Sequence, residues 1–341
     1  RLNAAATAVN DAKNPVILAG WGAYPDGRIV LAIAEKIKAP ILTTFRAKGI
    51  IPEDNPYVIG ILGNVGSPQA RTLANEADCI ITFGVGFSKF TNVPEKKPFV
   101  QVDIDPVKLG KNQQSLGLWG SCSLVLPALL PLLHERKDTG QKNRFADMKK
   151  EWDLQRDREA DSSAVPLRPP FIMNVLSEVI PADAVISLDV GENQWWFGRN
   201  FRMKQQRFTM SGYLATMGCG FPGALAARIA FPDRSVFCIT GDGGFSMAMA
   251  DFVTAIKYDL PMVVVVLNNR QLGMIQVEQM MENYPNYATD LLNPDFARYA
   301  EVCGGVGIRV GRPEELRAAI LSAMAHHRPV IVDVDTDPRR F

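Results

Sequence analysis

Residues 241–279 read GDGGFSMAMADFVTAIKYDLPMVVVVLNNRQLGMIQVEQ. Val263 to Leu267 form a short, β-branched apolar run, and a second such run, SVFCIT at 235–240, lies just upstream. Between them, 245–258 (FSMAMADFVTAIKY) carries apolar residues at helical spacing. Strand, helix, strand at these lengths is a βαβ unit, whose right-handed crossover puts both strand ends on one edge of a parallel sheet. One strand ends in Gly241-Asp242-Gly243-Gly244 and the next in Asn268-Asn269. Adjacent tips in a parallel sheet lie about 5 Å apart, so the Asp242 carboxylate and the Asn269 amide oxygen can converge on one ion. Mg²⁺ takes six oxygens, usually with one or two carboxylates and the rest from carbonyls, water and phosphates. Glycines around Asp242 let the main chain approach an anion at a helix start. Either half alone is an ordinary turn or helix start. Their pairing on consecutive strands points to a cation with a diphosphate.

The same alternation extends outward in both directions. In the first 130 residues PVILAG, APILTT, CIITFG and FVQVDI read as buried strands, with a helix through IVLAIAEKI. Two of these runs end in Gly-x-Gly, at Gly20 and Gly22 and at Gly84 and Gly86, at the carboxyl edge where open α/β sheets bind ligands. From His134 to Pro170 the composition turns to dense charge ending in Ser and Pro, as in a solvated helix and linker. Beyond it come the helix PFIMNVLSEVI, the strand AVISLDVG, the glycine-rich 212–231 and a last strand, IVDVD. The expected fold is α/β with two doubly wound parallel-sheet domains. A central Rossmann-like domain spans 1–135, a charged helix and linker 136–170, and a cation- and diphosphate-binding domain 171–341.

Composition narrows the function. In 341 residues, 37 Lys and Arg balance 36 Asp and Glu, which leaves no broad basic face for nucleic acid. The five cysteines are scattered, with no CxxC spacing, so neither a disulfide framework nor a zinc site is indicated and a cytoplasmic location is expected. His134, His326 and His327 stand in polar stretches and read as surface residues rather than acid–base catalysts. No run reaches the roughly 18 apolar residues of a membrane span. The chain opens on Arg1 and enters a helical pattern at once, so it is expected to be a piece of a longer protein.

The pattern GDG, helix, strand, NN resembles the diphosphate-binding domain of the thiamine diphosphate enzymes, in particular pyruvate oxidases and acetolactate synthases. By that resemblance Asp242, the Asn269 side chain and the Gln271 carbonyl hold Mg²⁺, and Gly241, Gly243 and Gly244 approach the diphosphate of thiamine diphosphate. Val190, Gly191, Glu192 and Asn193 match a segment that reaches the same diphosphate, with Asn193 as a donor to phosphate. Glu192 sits uneasily there, since a carboxylate repels a diphosphate unless a cation intervenes. The segment Ala215-Thr216-Met217-Gly218 resembles the one in which a bulky side chain, here Met217, props the cofactor into a bent shape while the Ala215 carbonyl accepts a hydrogen bond from its amino group. On composition alone Met217 is as readily a core residue. Leu272, Gly273 and Met274 would line the thiazolium pocket, and Glu278 matches a position near substrate, against the plain alternative of a solvated helical glutamate.

The first domain resembles the central domain of pyruvate oxidases in IKAPILTTFRAKGIIPEDNP, ILGNVGSPQA, GVGFSKF and VDIDPVKLGK. There it binds FAD, which would rest on Gly20, Gly22, Gly84 and Gly86, with Asp103 and Asp105 toward ribose hydroxyls. The resemblance implies decarboxylation of a 2-keto acid, pyruvate first, with electrons passing to FAD, in an oxidase or quinone-linked dehydrogenase. An acetolactate synthase-type carboligase is the alternative within enzymes, and a non-catalytic cofactor-binding fragment the alternative outside them. Family members also need an activating glutamate on an amino-terminal pyrimidine-binding domain of a neighbouring subunit, in a homodimer or homotetramer. No such domain lies in these residues, so this chain alone is expected to be inactive. Membrane association is expected only through a carboxyl-terminal tail beyond Phe341.

Overall fold

The computed structural model describes residues 1–110 and 115–339. Two compact units divide the chain, Arg1–Gln155 and Arg156–Phe341.

The first unit carries a six-stranded parallel sheet of β1 (Pro15–Ala19), β2 (Ile41–Thr43), β3 (Val58–Ile61), β4 (Cys79–Phe83), β5 (Phe99–Asp103) and β6 (Ser115–Trp119). Their order is β3-β2-β1-β4-β5-β6, so the chain winds outward from β1 and then from β4, leaving a switch point between those two strands. β1, β4 and β5 are buried along their whole length, as a sheet covered on both faces requires.

The second unit holds β7 (Val185–Leu188), β8 (Arg207–Met210), β9 (Val236–Gly241), β10 (Val263–Asn268), β11 (Val306–Val310) and β12 (Val330–Asp335), ordered β11-β12-β10-β9-β7-β8, again all parallel. β10 is buried throughout, and each of its four valines gains about 1.5–3 kcal/mol from burial. Phe221, Phe245, Phe252 and Phe296 seal one face, with neighbouring rings 5.6–6.0 Å apart. Gly241 on β9 is in register with Leu267 on β10, so the GDGG and NN segments leave the same edge side by side.

Two details depart from the sequence reading. The charged segment expected as a helix and linker at 136–170 does hold a helix, but it does not stand apart between the two units. It forms the helix Gln141–Glu159, and the division between units falls inside that helix. The cause is a few apolar and lysine anchors among the charges: Phe145 is buried edge-on to Tyr57 at 6.1 Å, and the Lys149 ammonium donates to the Glu53 and Asn55 carbonyls. The crossover expected as a helix through 245–258 starts earlier, at Asp242, and breaks into Asp242–Ala248, a 3₁₀ turn at Met249–Asp251, and Phe252–Lys257. Asp242 is therefore the first residue of a helix rather than part of a preceding loop.

Candidate active site

The carboxyl edge of the second sheet gathers most of the predicted residues. Asp242 is 2% exposed, and both of its carboxylate oxygens accept: Oδ1 from its neighbour Gly243 N–H at 2.9 Å, with a lone pair to spare, and Oδ2 from Arg270 N–H at 2.6 Å and from Asn293 Nδ2 at 2.7 Å. The Arg270 bond depends on a left-handed backbone at that residue, φ 57°, a conformation that costs a non-glycine residue about 1–2 kcal/mol. It turns the chain after β10 so that an N–H faces back toward β9.

The two asparagines divide their tasks. Asn268 is buried and tied sideways, donating to Asp333 Oδ1 on β12 at 2.9 Å and accepting from Asn293 at 2.9 Å. Asn269 donates to Glu192 Oε2 at 2.9 Å, which orients its amide, and its Oδ1 accepts from Gln271 N–H at 3.2 Å. Glu192 thus sits beside the predicted cation ligand.

Over Gly243 three apolar side chains converge. A methyl built on Gly243 would meet Leu272 at 2.9 Å, Leu291 at 3.2 Å and Met217 at 3.5 Å, so the wall closes only because position 243 has no side chain. Gly273 is buried at the start of helix Gly273–Met281, with Met274 partly covered beside it. Ala215, φ 50°, and Gly218, φ 81°, form the left-handed turn that carries Met217.

Asp189, at the end of β7, is fully buried and was not singled out from the sequence. Its carboxylate accepts from the N–H groups of Val190 at 2.7 Å and Gly218 at 2.9 Å and from the Thr240 hydroxyl at 3.1 Å, pinning the Met217 turn to the sheet. Gly220 and Gly244 pack so closely on it that methyls there would lie 2.7 and 2.9 Å from its atoms. The available signal was a lone carboxylate ending a buried strand, ISLD. Asn293 and Leu291 carried none, as they stand in a polar connection before helix Phe296–Val302.

One predicted role is corrected. Asn193 cannot donate to a phosphate as expected: its amide nitrogen faces the Asp189 and Ile239 carbonyls at 2.8 and 3.3 Å. The buried atom left without a partner is the acceptor Oδ1, 3.0 Å from where a methyl on Gly191 would stand. Glu278 is exposed, and among the described residues its carboxylate bonds none of the site residues.

Burial pushes the carboxyls of Asp189, Asp242 and Asp333 above their ordinary value of 3.8, against the hydrogen bonds that pull each down. A raised folded pKa means the fold favours the protonated form. The resulting stability is fully present below 3.8 and is lost as pH rises through the raised value. Asp189→Asn keeps an acceptor for Val190 and Gly218 and has no charge to desolvate. Over the window from 3.8 upward, urea unfolding should show wild type losing stability relative to Asp189→Asn as pH rises. A stability difference that does not change with pH would overturn this reading of Asp189.

Comparison with known proteins follows the same division of the chain. Residues 189–334 match the thiamine pyrophosphate enzyme C-terminal TPP binding domain and residues 2–129 the thiamine pyrophosphate enzyme central domain. The chain belongs to the thiamine pyrophosphate enzyme family. It is 40% identical over 96% of its length to YdaP of Bacillus subtilis, which is named as thiamine pyrophosphate-containing, and covers 57% of that protein. Against acetolactate synthase isozyme 3 large subunit of Escherichia coli it is 31% identical, covering 96% of this chain and 60% of the relative. Against pyruvate oxidase of Lactiplantibacillus plantarum it is 30% identical, covering 94% and 55%. The chain thus spans little more than half the length of these relatives.

For this family's cofactor, the second unit offers a fitting set. Asp242, Asn269 and the Gln271 carbonyl present only hard oxygens, suited to Mg²⁺. The orphaned Asn193 oxygen lies between Gly191 and Gly241, where it can accept but not donate. The flavin residues expected in the first unit do not fit in the way the sequence suggested. Methyls on Gly20 and Gly22 would lie 2.1 and 2.8 Å from Gly84 atoms, and Gly22 N–H donates to the Gly84 carbonyl at 3.1 Å. At these three glycines the backbones cross so closely that no side chain can be accommodated. Asp103 Oδ1 accepts from Asp105 N–H and Asp105 Oδ1 from Val107 N–H, so both carboxylates cap turns. Of the four glycines only Gly86 faces open space. Among the described residues no helix is long and apolar enough to cross a membrane.

Proposed function

We propose that the complete protein decarboxylates a 2-keto acid, pyruvate first, using thiamine diphosphate held through Mg²⁺. The observation that carries this is the placement of Asp242 and Asn269 at adjacent strand tips beside the wall of Met217, Leu272 and Leu291. In this reading Asp242, Asn269 and the Gln271 carbonyl hold the cation, with Glu192 orienting Asn269. Gly241, Gly243, Gly244, Val190 and Gly191 surround the diphosphate, and Asn193 accepts from a donor beside it. Met217 and the Ala215 carbonyl would hold the cofactor from the turn side, while Leu272, Gly273 and Met274 would exclude water from it. When bound, thiamine diphosphate supplies the electron sink that makes loss of CO₂ possible.

Two fates for the decarboxylated substrate are supported by different relatives. The pyruvate oxidase likeness supports oxidation at FAD. The acetolactate synthase likeness supports carboligation, and we favour the latter. A neighbouring subunit with a pyrimidine-binding domain, a homodimer or homotetramer, and a cytoplasmic location belong to the same proposal, the last supported by five free cysteines.

The test is the absorbance spectrum of the complete protein, followed by anaerobic pyruvate with thiamine diphosphate and Mg²⁺. CO₂ release that requires both additions, with acetolactate accumulating and no flavin band bleaching, is the expected result. Flavin bands that bleach would replace carboligation with oxidation, and absence of CO₂ release would overturn the proposal.

A further inference from the structure

Asn293 lies outside every motif considered above, yet its amide touches both halves of the motif pair. One hydrogen goes to Asp242 Oδ2 at 2.7 Å and the other to Asn268 Oδ1 at 2.9 Å, and both acceptors are 2% exposed. Asp242 follows β9 and Asn268 ends β10, so a single side chain spans the two strand tips. Both of its amide hydrogens are used in this bridge.

The segment that delivers it is fixed at both ends. Upstream, residues 289–291 run antiparallel to 270–272: Leu272 N–H donates to the Thr289 carbonyl at 2.8 Å, Leu291 N–H to the Arg270 carbonyl at 2.9 Å, and Gln271 pairs with Asp290. The Thr289 hydroxyl is held between Gln276 and Asn286. Downstream, Asp295 caps helix Phe296–Val302 by accepting from Arg298 N–H, and Phe296 is buried 5.6 Å from Phe245. Leu291 on the same strap completes the apolar wall over Gly243. The chain on which Asn293 sits is thus tied to the loop bearing Asn269 and Gln271 and to the core beneath Asp242.

We propose that Asn293 is a positioning residue of the cation site, clamping the tips of β9 and β10 so that the oxygens of Asp242 and Asn269 stand at a fixed spacing. This rests on the reading of Asp242 and Asn269 as cation ligands. An octahedral ion with ligand distances of about 2.0–2.1 Å tolerates little variation in that spacing. Losing the clamp should weaken the cation more than it slows the chemistry once the cation is in place.

The experiment uses the complete protein with thiamine diphosphate present, and titrates Mg²⁺ by calorimetry and by activity. Asn293→Ala should weaken Mg²⁺ at least tenfold and raise the Mg²⁺ concentration for half-maximal rate in parallel, with kcat at saturating Mg²⁺ within about twofold of wild type. Asn293→Ser, which keeps one donor, should fall between and covers the case in which the alanine variant does not fold. A merely structural role would instead lower the cation-free melting temperature and kcat at saturation together, with Mg²⁺ affinity unchanged, and that pattern overturns the proposal. Asp242→Ala run alongside separates the failures: if it loses Mg²⁺ while Asn293→Ala binds as wild type, only the clamp falls. If Asp242→Ala also binds normally, the cation site itself is misplaced.

Discussion

Asp242→Ala in the complete protein should abolish Mg²⁺-dependent binding of thiamine diphosphate, a loss of roughly a hundredfold or more, about 3 kcal/mol. The carboxylate has two jobs that alanine cannot do. In the proposed site it is the only anionic ligand among Asp242, Asn269 and the Gln271 carbonyl, so its removal takes away the main electrostatic attraction for the ion. It also accepts from Gly243, Arg270 and Asn293, and each donor left unmet in this buried place costs about 1–3 kcal/mol. The Arg270 turn, held in a left-handed conformation partly by that bond, would relax and carry Asn269 and Gln271 with it.

Asp242→Asn separates the two jobs. An amide has the same shape, but donors approach both Asp242 oxygens, so its NH₂ must face at least one of them. The asparagine variant should therefore fold less stably than wild type and still fail to bind Mg²⁺ tightly. Calorimetry with thiamine diphosphate, with and without Mg²⁺, reads the result. Tight Mg²⁺-dependent binding in either variant would sink the assignment.

What the sequence made legible here was the part encoded by neighbours in the chain. Buried strands announce themselves as apolar runs such as Val263–Leu267, and the GDGG and NN segments mark their ends, so the sheet edge and its oxygens could be placed. The pairing of Asp242 with Asn293, 51 positions apart, rests on a strap, TDLLNPD at 289–295, whose sequence shows neither helical nor strand periodicity. Asp189 is harder in another way: its meaning lies in what packs on it, Gly220 and Gly244 from two different helices. Edge strands such as β3, β8 and β11 are short or half-exposed, so their hydrophobic signal is weak. Asn193 shows a third limit. Residue type allows it to donate or accept, and only the two carbonyls it faces decide which atom is left for a ligand.

The glycines of the first unit carry the same lesson to a sharper test. Gly20→Ala should destabilise that unit by about 3–5 kcal/mol, the range reserved for severe backbone or core conflicts. The new methyl would lie 2.1 Å from the Gly84 oxygen and 2.7 Å from its carbonyl carbon, both backbone atoms that cannot swing aside. Relief requires the ends of β1 and β4 to separate, which breaks Gly20 N–H to Phe83 O at 2.8 Å and Gly22 N–H to Gly84 O at 3.1 Å, at the centre of the sheet. Gly84→Ala should be as harmful, since its methyl would meet Gly22 at 2.4 Å and its φ of 61° disfavours a side chain. Gly86→Ala, facing open space, should unfold within about 0.5 kcal/mol of wild type. Calorimetric melting that follows each unit's transition distinguishes the cases. If Gly20 were small to admit a flavin, its alanine variant would fold normally and lose only the flavin absorbance. A crossing of two backbones instead predicts that the first unit melts early while the transition of the second stays where it was.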